Sequence, residues 1–101
     1  MLQTNPGAVS IATTDYPVIE FLASPILAAG ETIASATVRM QTADFSRQVN
    51  LPDAPTTTTT TVSQPIKGSL LTPGTLYRLI WVVTLDNGQI LSQQTSAQCP
   101  Y

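Results

Sequence analysis

The chain has 101 residues, 43% of them hydrophobic and 10% charged, with a net charge of −2. That length fits one domain, which buries roughly 60 to 70% of the surface its unfolded chain exposes. The four cations (Arg39, Arg47, Lys67, Arg78) are scattered and form no phosphate-neutralising cluster, so nucleic acid is not an expected partner. There is no histidine, which excludes Ser-His-Asp, Cys-His and the common His-bearing zinc arrangements.

Further classes fall away on simple grounds. Pro17, Glu20, Pro25 and Glu31 interrupt the most apolar stretch before it reaches the ~18 to 20 residues of a membrane span, so no membrane partner is expected. The opening MLQTNPG has neither the basic nor the apolar region of a secretory signal, which predicts synthesis in a cytosol without export by the general route. Cys99 has no second cysteine to pair with and no neighbour that would activate it, and is read as a free thiol in a C-terminal tail, residues 99–101. A surface drawn from Thr, Ser and Gln offers little charge repulsion against association, which points to permanent partners.

In chain order, residues 1–15 show no sustained period and are expected as an N-terminal arm, with Val9 and Ile11 as its apolar contact residues. Tyr16 to Leu22 is β-favourable, and Pro17 places it at a strand start or sheet edge. Ser24, Pro25 and Gly30 punctuate a loop in which residues 25–29 fit one helical turn. From Glu31 to Met40, Ala34, Ala36, Val38 and Met40 alternate with Ser35, Thr37 and Arg39, as in a half-buried strand. Phe45 to Leu51 repeats the pattern more weakly, with Phe45, Arg47, Val49 and Leu51 on one side, until Pro52 and Pro55 close it.

Thr56 to Thr61 are consecutive threonines, stiff at χ1 and suited to an exposed strand. A single such rank is too little for ice binding. Leu76 to Leu85 gives the clearest signal: Tyr77, Leu79, Trp81, Val83 and Leu85 share one face, and Ile80 and Val82 make the other face apolar too, which predicts a central strand. Asp86-Asn87-Gly88 reads as a tight turn, and Gln89 to Ala97 as the returning strand. Short strands separated by Pro and Gly turns predict an all-β fold, an immunoglobulin or fibronectin type III-like β-sandwich of about 6–8 antiparallel strands over residues 16–98.

Candidate chemistry is thin. Glu20 with Glu31, or Asp44 with Asp53, would be the carboxylate pairs of a glycosidase, but six aromatic residues do not line a sugar cleft and the packing role of Trp81 outweighs sugar stacking. Asp53 and Asp86 lack the Asp-x-Asp pattern of a calcium loop. The chain is therefore expected to be no enzyme and to hold no cofactor or metal. Contact surface is expected at Val9, Ile11, Leu51, Pro52, Cys99 and Tyr101, where strand addition to a neighbour's sheet edge needs no charge.

Leu71-Thr72-Pro73-Gly74-Thr75-Leu76-Tyr77-Arg78-Leu79 resembles the E-to-F corner of fibronectin type III and related sandwiches. That resemblance gives Leu71, Pro73, Gly74 and Tyr77 structural roles: Pro and Gly turn the chain between sheets, Tyr77 bonds back to the backbone as a tyrosine corner, and Leu71 caps the core. More widely, Leu27-Ala28-Ala29-Gly30-Glu31-Thr32-Ile33-Ala34-Ser35, the Gly-Thr-x-Tyr strand and the hairpin after Thr84-Leu85-Asp86-Asn87-Gly88 resemble small tailed-bacteriophage virion proteins of the fiber-tail adaptor-like family. The likeness spans residues 16 to about 97. It departs at Glu20 to Ser24, where the family often has a Trp-rich segment, and at Gln89, where the family often has Arg. The resemblance implies a virion structural protein, a fiber-tail or head-to-tail (neck or collar) adaptor in a multi-copy ring. Its partners would be portal, tail-ring or fibre proteins. The alternatives are a capsid decoration protein and a carbohydrate-binding adhesion module.

Overall fold

The computed structural model describes residues 2–4, 8–23 and 27–101, with side chains from residue 9 onward. In chain order its strands are β1 (Leu2–Thr4), β2 (Ala8–Ser10), β3 (Val18–Leu22), β4 (Ile33–Thr42), β5 (Gln48–Val49), β6 (Thr56–Thr57), β7 (Thr61–Pro65), β8 (Thr75–Leu85) and β9 (Ile90–Cys99). They form two facing sheets, β1-β3-β7-β6 and β2-β9-β8-β4-β5. The protein is an all-β sandwich.

The doubly apolar pattern of β8 has its cause in position. β8 pairs antiparallel with β4 on one side and β9 on the other, and it turns Tyr77, Leu79, Trp81, Val83 and Leu85 into the core while Ile80 is buried on the outer face. Across the sandwich, β3 supplies Ile19 and Phe21 and β7 supplies Val62. The Phe21 ring stacks on Trp81 with centroids 5.5 Å apart and planes 22° from parallel, and the Trp81 indole N–H donates to Thr95 Oγ1 at 3.0 Å. The hairpin between β8 and β9 closes as the Asp-Asn-Gly turn requires, with Gly88 at φ 88 and its N–H donating to the Leu85 carbonyl.

Residues 2–4 and 8–11 are built into the sandwich and form no free arm. β2 pairs parallel with β9, Val9 opposite Ala97, and Ile11 N–H donates to Gln98 O at 2.9 Å. Val9 and Ile11 are 2% and 0% exposed, so both are core residues and not contact residues. A small domain without a disulfide has few apolar side chains to spare, and burying these two adds to a thin core. β1 and β2 join different sheets, and each pairs in parallel, in contrast to the antiparallel pairings of the rest. The C-terminus differs from expectation for the same reason: Cys99 pairs with Thr75 inside β9 and is 1% exposed.

Three other segments depart from the sequence pattern. The threonine run is a hairpin and not one strand: Thr56–Thr57 pair with β7, Thr58 to Thr60 turn, and Thr61 opens β7. Its corner is closed by backbone and side chain together: Thr58 N–H donates to Thr61 O at 2.9 Å and Thr61 N–H to Thr58 Oγ1 at 3.0 Å, the latter being local hydroxyl chemistry that competes with strand pairing. The strand expected from Phe45 shrinks to Gln48–Val49. Residues 25 and 26 of the helical turn expected over 25–29 lie outside the described residues; after them, Glu31 N–H donates to Ala28 O and Gly30 sits at φ 82.

A single glycine ties the strand connections together. Gly68 opens the short 3-10 turn Gly68–Leu70, and its N–H donates to Asp15 O at 2.8 Å. A Cβ at this position would stand 2.0 Å from the Ala12 carbonyl oxygen and 2.7 Å from that of Asp15, both backbone atoms. Gly68→Ala should therefore destabilise the fold by about 1–3 kcal/mol or more, read as a fall in the urea midpoint with an unchanged m-value.

Candidate protein-contact surface

The end of the sandwich where β4 stops and β8 starts concentrates the unusual features. Residues 42–47 form a turn around one carboxylate. Asp44 Oδ1 accepts from Thr42 Oγ1 at 2.7 Å, Ser46 Oγ at 2.7 Å and Ser46 N–H at 3.0 Å. Thr42 Oγ1 in turn accepts the Arg47 N–H at 3.2 Å, and Thr42 N–H donates to Arg47 O at 2.9 Å. The turn is fastened to β8 through Ala43 N–H and the Leu76 carbonyl, 2.9 Å apart.

This scaffold holds Phe45 at φ 60, and Phe45 is the one non-glycine residue with positive φ among the described residues. A bulky side chain in that region carries strain of about 1–2 kcal/mol, so its surroundings must over-determine it. The ring is nevertheless 54% exposed. One face meets the Arg78 guanidinium, whose central carbon lies 5.8 Å from the ring centroid, a cation–π arrangement. Arg78 Nε is itself buried and has no hydrogen-bond partner.

Around the turn the surface is shallowly recessed and mixes exposed apolar side chains with polar ones. Leu76 is 59% exposed, and Leu70 is also exposed. A recess of about 200 Å³ lies between Arg47, Val49, Leu70 and Tyr77. Beneath it the chain is stiff: the Thr72 N–H donates to the Tyr77 hydroxyl at 2.8 Å, Leu71 and Tyr77 are buried, and Gly74 at φ 81 passes its N–H to Cys99 O. Pro73 stands exposed at the same corner. Tyr101 is 74% exposed at this end, with its carbonyl accepting the Thr13 N–H.

Of the residues expected from sequence to make contacts, Tyr101 and Pro52 are exposed, Leu51 is half-buried against the core, and Val9, Ile11 and Cys99 are inside it. Phe45 was not among them. The signal for it was Asp44 followed by Ser46, a side-chain turn that lifts the intervening residue out of the strand pattern.

Three of the four carboxylates weighed as pairs accept hydrogen bonds from neighbouring groups. Glu31 accepts from Ala28 N–H and from Asn87 Nδ2, Asp53 accepts the Tyr16 hydroxyl, and Asp44 holds the turn. The Asp53 carboxylate raises the Tyr16 pKa above its ordinary value, chiefly through that hydrogen bond. No cluster of three or more metal-ligating side chains occurs among the described residues, and no helix of them is long and apolar enough to cross a membrane. No family model matches the chain, and no curated protein or solved structure matches it.

The hydrogen bonds from Thr42, then those from the side chain and backbone of Ser46, lower the Asp44 pKa from 3.8 to about 2. A carboxylate with a depressed folded pKa stabilises the fold fully above its unfolded pKa and loses that contribution as pH falls through the folded one. The turn should thus keep its geometry above about pH 4 and loosen toward pH 2. A carbon-detected NMR titration should place the Asp44 midpoint near 2, with the Phe45 amide moving on the same curve.

Proposed function

We propose that the chain is a structural protein of a tailed-phage virion, a fiber-tail or head-to-tail adaptor held in a multi-copy ring by protein contacts. The observation that carries the contact part is Phe45, an exposed aromatic ring fixed in a strained backbone by an Asp-centred turn and backed by Arg78. Strain of this sort accumulates where a surface has a task beyond folding. Aromatic and Arg side chains are also the types enriched among binding hot spots. The virion part is supported by the sequence likeness over residues 16 to about 97 and by the charge-poor composition.

Phe45→Gly separates contact from stability. Glycine relieves the left-handed strain, about 1–2 kcal/mol, against the chain entropy it adds, about 0.4–1, and the cation–π contact it removes, about 0.5–1. The unfolding free energy should change by less than about 1 kcal/mol. Incorporation into particles, measured by quantitative proteomics of purified virions, should fall by roughly tenfold or more. Cryo-electron microscopy of the particle then separates placements: a ring at the tail or neck supports the adaptor, and a lattice over the head replaces it with decoration. Absence from the virion would end the proposal.

A further inference from the structure

A second surface differs in kind, because it consists of backbone. β4 pairs with β8 along nearly its whole length, but with β5 only at Met40 and Gln41. The Thr42 N–H points to the β5 side, where it donates to Arg47 O. Backbone direction alternates along a strand, so Ala36 and Val38 turn their N–H and C=O groups to that same side. No backbone hydrogen bond meets either residue there among the described residues. The open stretch ends at Ile33, whose N–H donates to Thr59 O at 2.9 Å.

Side chains show the same gap. Ala36 and Val38 face the interior with Met40, yet they are half-buried where Met40 is fully buried. Among the other edges, β1 and β2 have three residues each and β5 and β6 have two, and β9 is open from Ile90 to Thr95 beyond its pairing with β2 but carries no charged residue there. The open part of β4 contains neither proline nor lysine.

We propose that the β4 edge at Ala36 and Val38 receives an extended segment of a different protein, paired as an added strand and carrying an acidic residue beside Arg39. It rests on the reading of the chain as a protein-contact module and adds a mode of contact distinct from the Phe45 surface. Only another polypeptide backbone offers alternating donors and acceptors at the spacing of an open edge. Charge selects among strands: on the outer face of β4, Ser35, Thr37, Arg39 and Gln41 alternate with the core positions, and Arg39 is exposed without an ion pair among the described residues. A second copy meeting this edge with its own β4 brings no carboxylate to Arg39. Both ends of the described chain are already paired, through β1, β2 and β9, so they supply no spare strand.

The test uses the whole chain and a library of random twelve-residue peptides displayed on a carrier, selected on the wild type and counter-selected on Ala36→Pro. Proline removes an N–H that β8 does not use and is tolerated on an edge. The proposal expects enriched peptides with alternating apolar residues and at least one Asp or Glu. These peptides should slow hydrogen exchange at the Ala36 and Val38 amides of the wild type and should bind roughly fivefold or more weakly when the acidic residue is changed to Lys. The exchange measurement needs no variant, so it decides the matter even if the proline chain fails to fold. No enriched peptide, or enriched peptides that leave those two amides unprotected, overturns the proposal. Concentration-dependent protection of both amides without peptide overturns it in favour of a second copy. Peptides that protect the Phe45 turn instead would overturn the edge while leaving the contact-module reading intact.

Discussion

The stack of Phe21 on Trp81 is the contact that closes the sandwich, since no disulfide links the sheets and Cys99 is the chain's single cysteine. An indole of this size removes about 150–250 Å² from water, worth about 4–6 kcal/mol at the usual coefficient and comparable with a small domain's whole net stability. The ring could not be buried at that gain with its N–H unpaired. Thr95 on β9 accepts it, so one side chain joins β8 to a neighbour in its own sheet and to β3 in the other. The registers of β8 with β4 and β9 are fixed because a slip by one residue would turn this ring to solvent.

From that pillar the constraints run to one end. Tyr77 lies four residues before Trp81 on the same face of β8, and its hydroxyl takes the Thr72 N–H, so the core strand and the incoming corner share one rigid piece. Gly68 presses the preceding turn against the backbone of Ala12 and Asp15. The buried Gln64 spends its amide N–H groups on the carbonyls of Asp53 and Pro65, which fixes where the crossing segment between sheets lies, although its Oε1 has no partner. A left-handed Phe45 is sustainable only on such a base, because the strain of the turn is set against packing elsewhere.

What was legible in the sequence followed from periodicity that packing reinforces. β8 was readable because a strand buried on both faces must be apolar on both, and the β8–β9 hairpin because Gly88 accepts the positive φ that its tight turn imposes. The misreadings share a cause in side-chain hydroxyls and carboxylates that bond to nearby backbone. Thr58 folded the threonine run into a hairpin, and Asp44 turned Phe45 out of a strand that alternation favoured. Val9 and Ile11 were misplaced for another reason: which sheet a terminal segment joins is a tertiary choice that three-residue strands do not encode in their pattern. The β4 edge left no trace at all, because an unpaired backbone looks the same in sequence as a paired one.

Both proposed contact surfaces fit the same shortage of charge. With few ionic groups, specificity must come from shape and from backbone pairing, and each is present in a form that costs the free protein something: a strained phenylalanine at one end, unpaired peptide groups and half-covered Ala36 and Val38 along one edge. The two arginines facing outward on β4 and β8 mark where charge is kept. Arg78 is spent behind Phe45, while Arg39 stands over the open edge, so the only cation left exposed on the outer face of β4 is at the place where the backbone is incomplete.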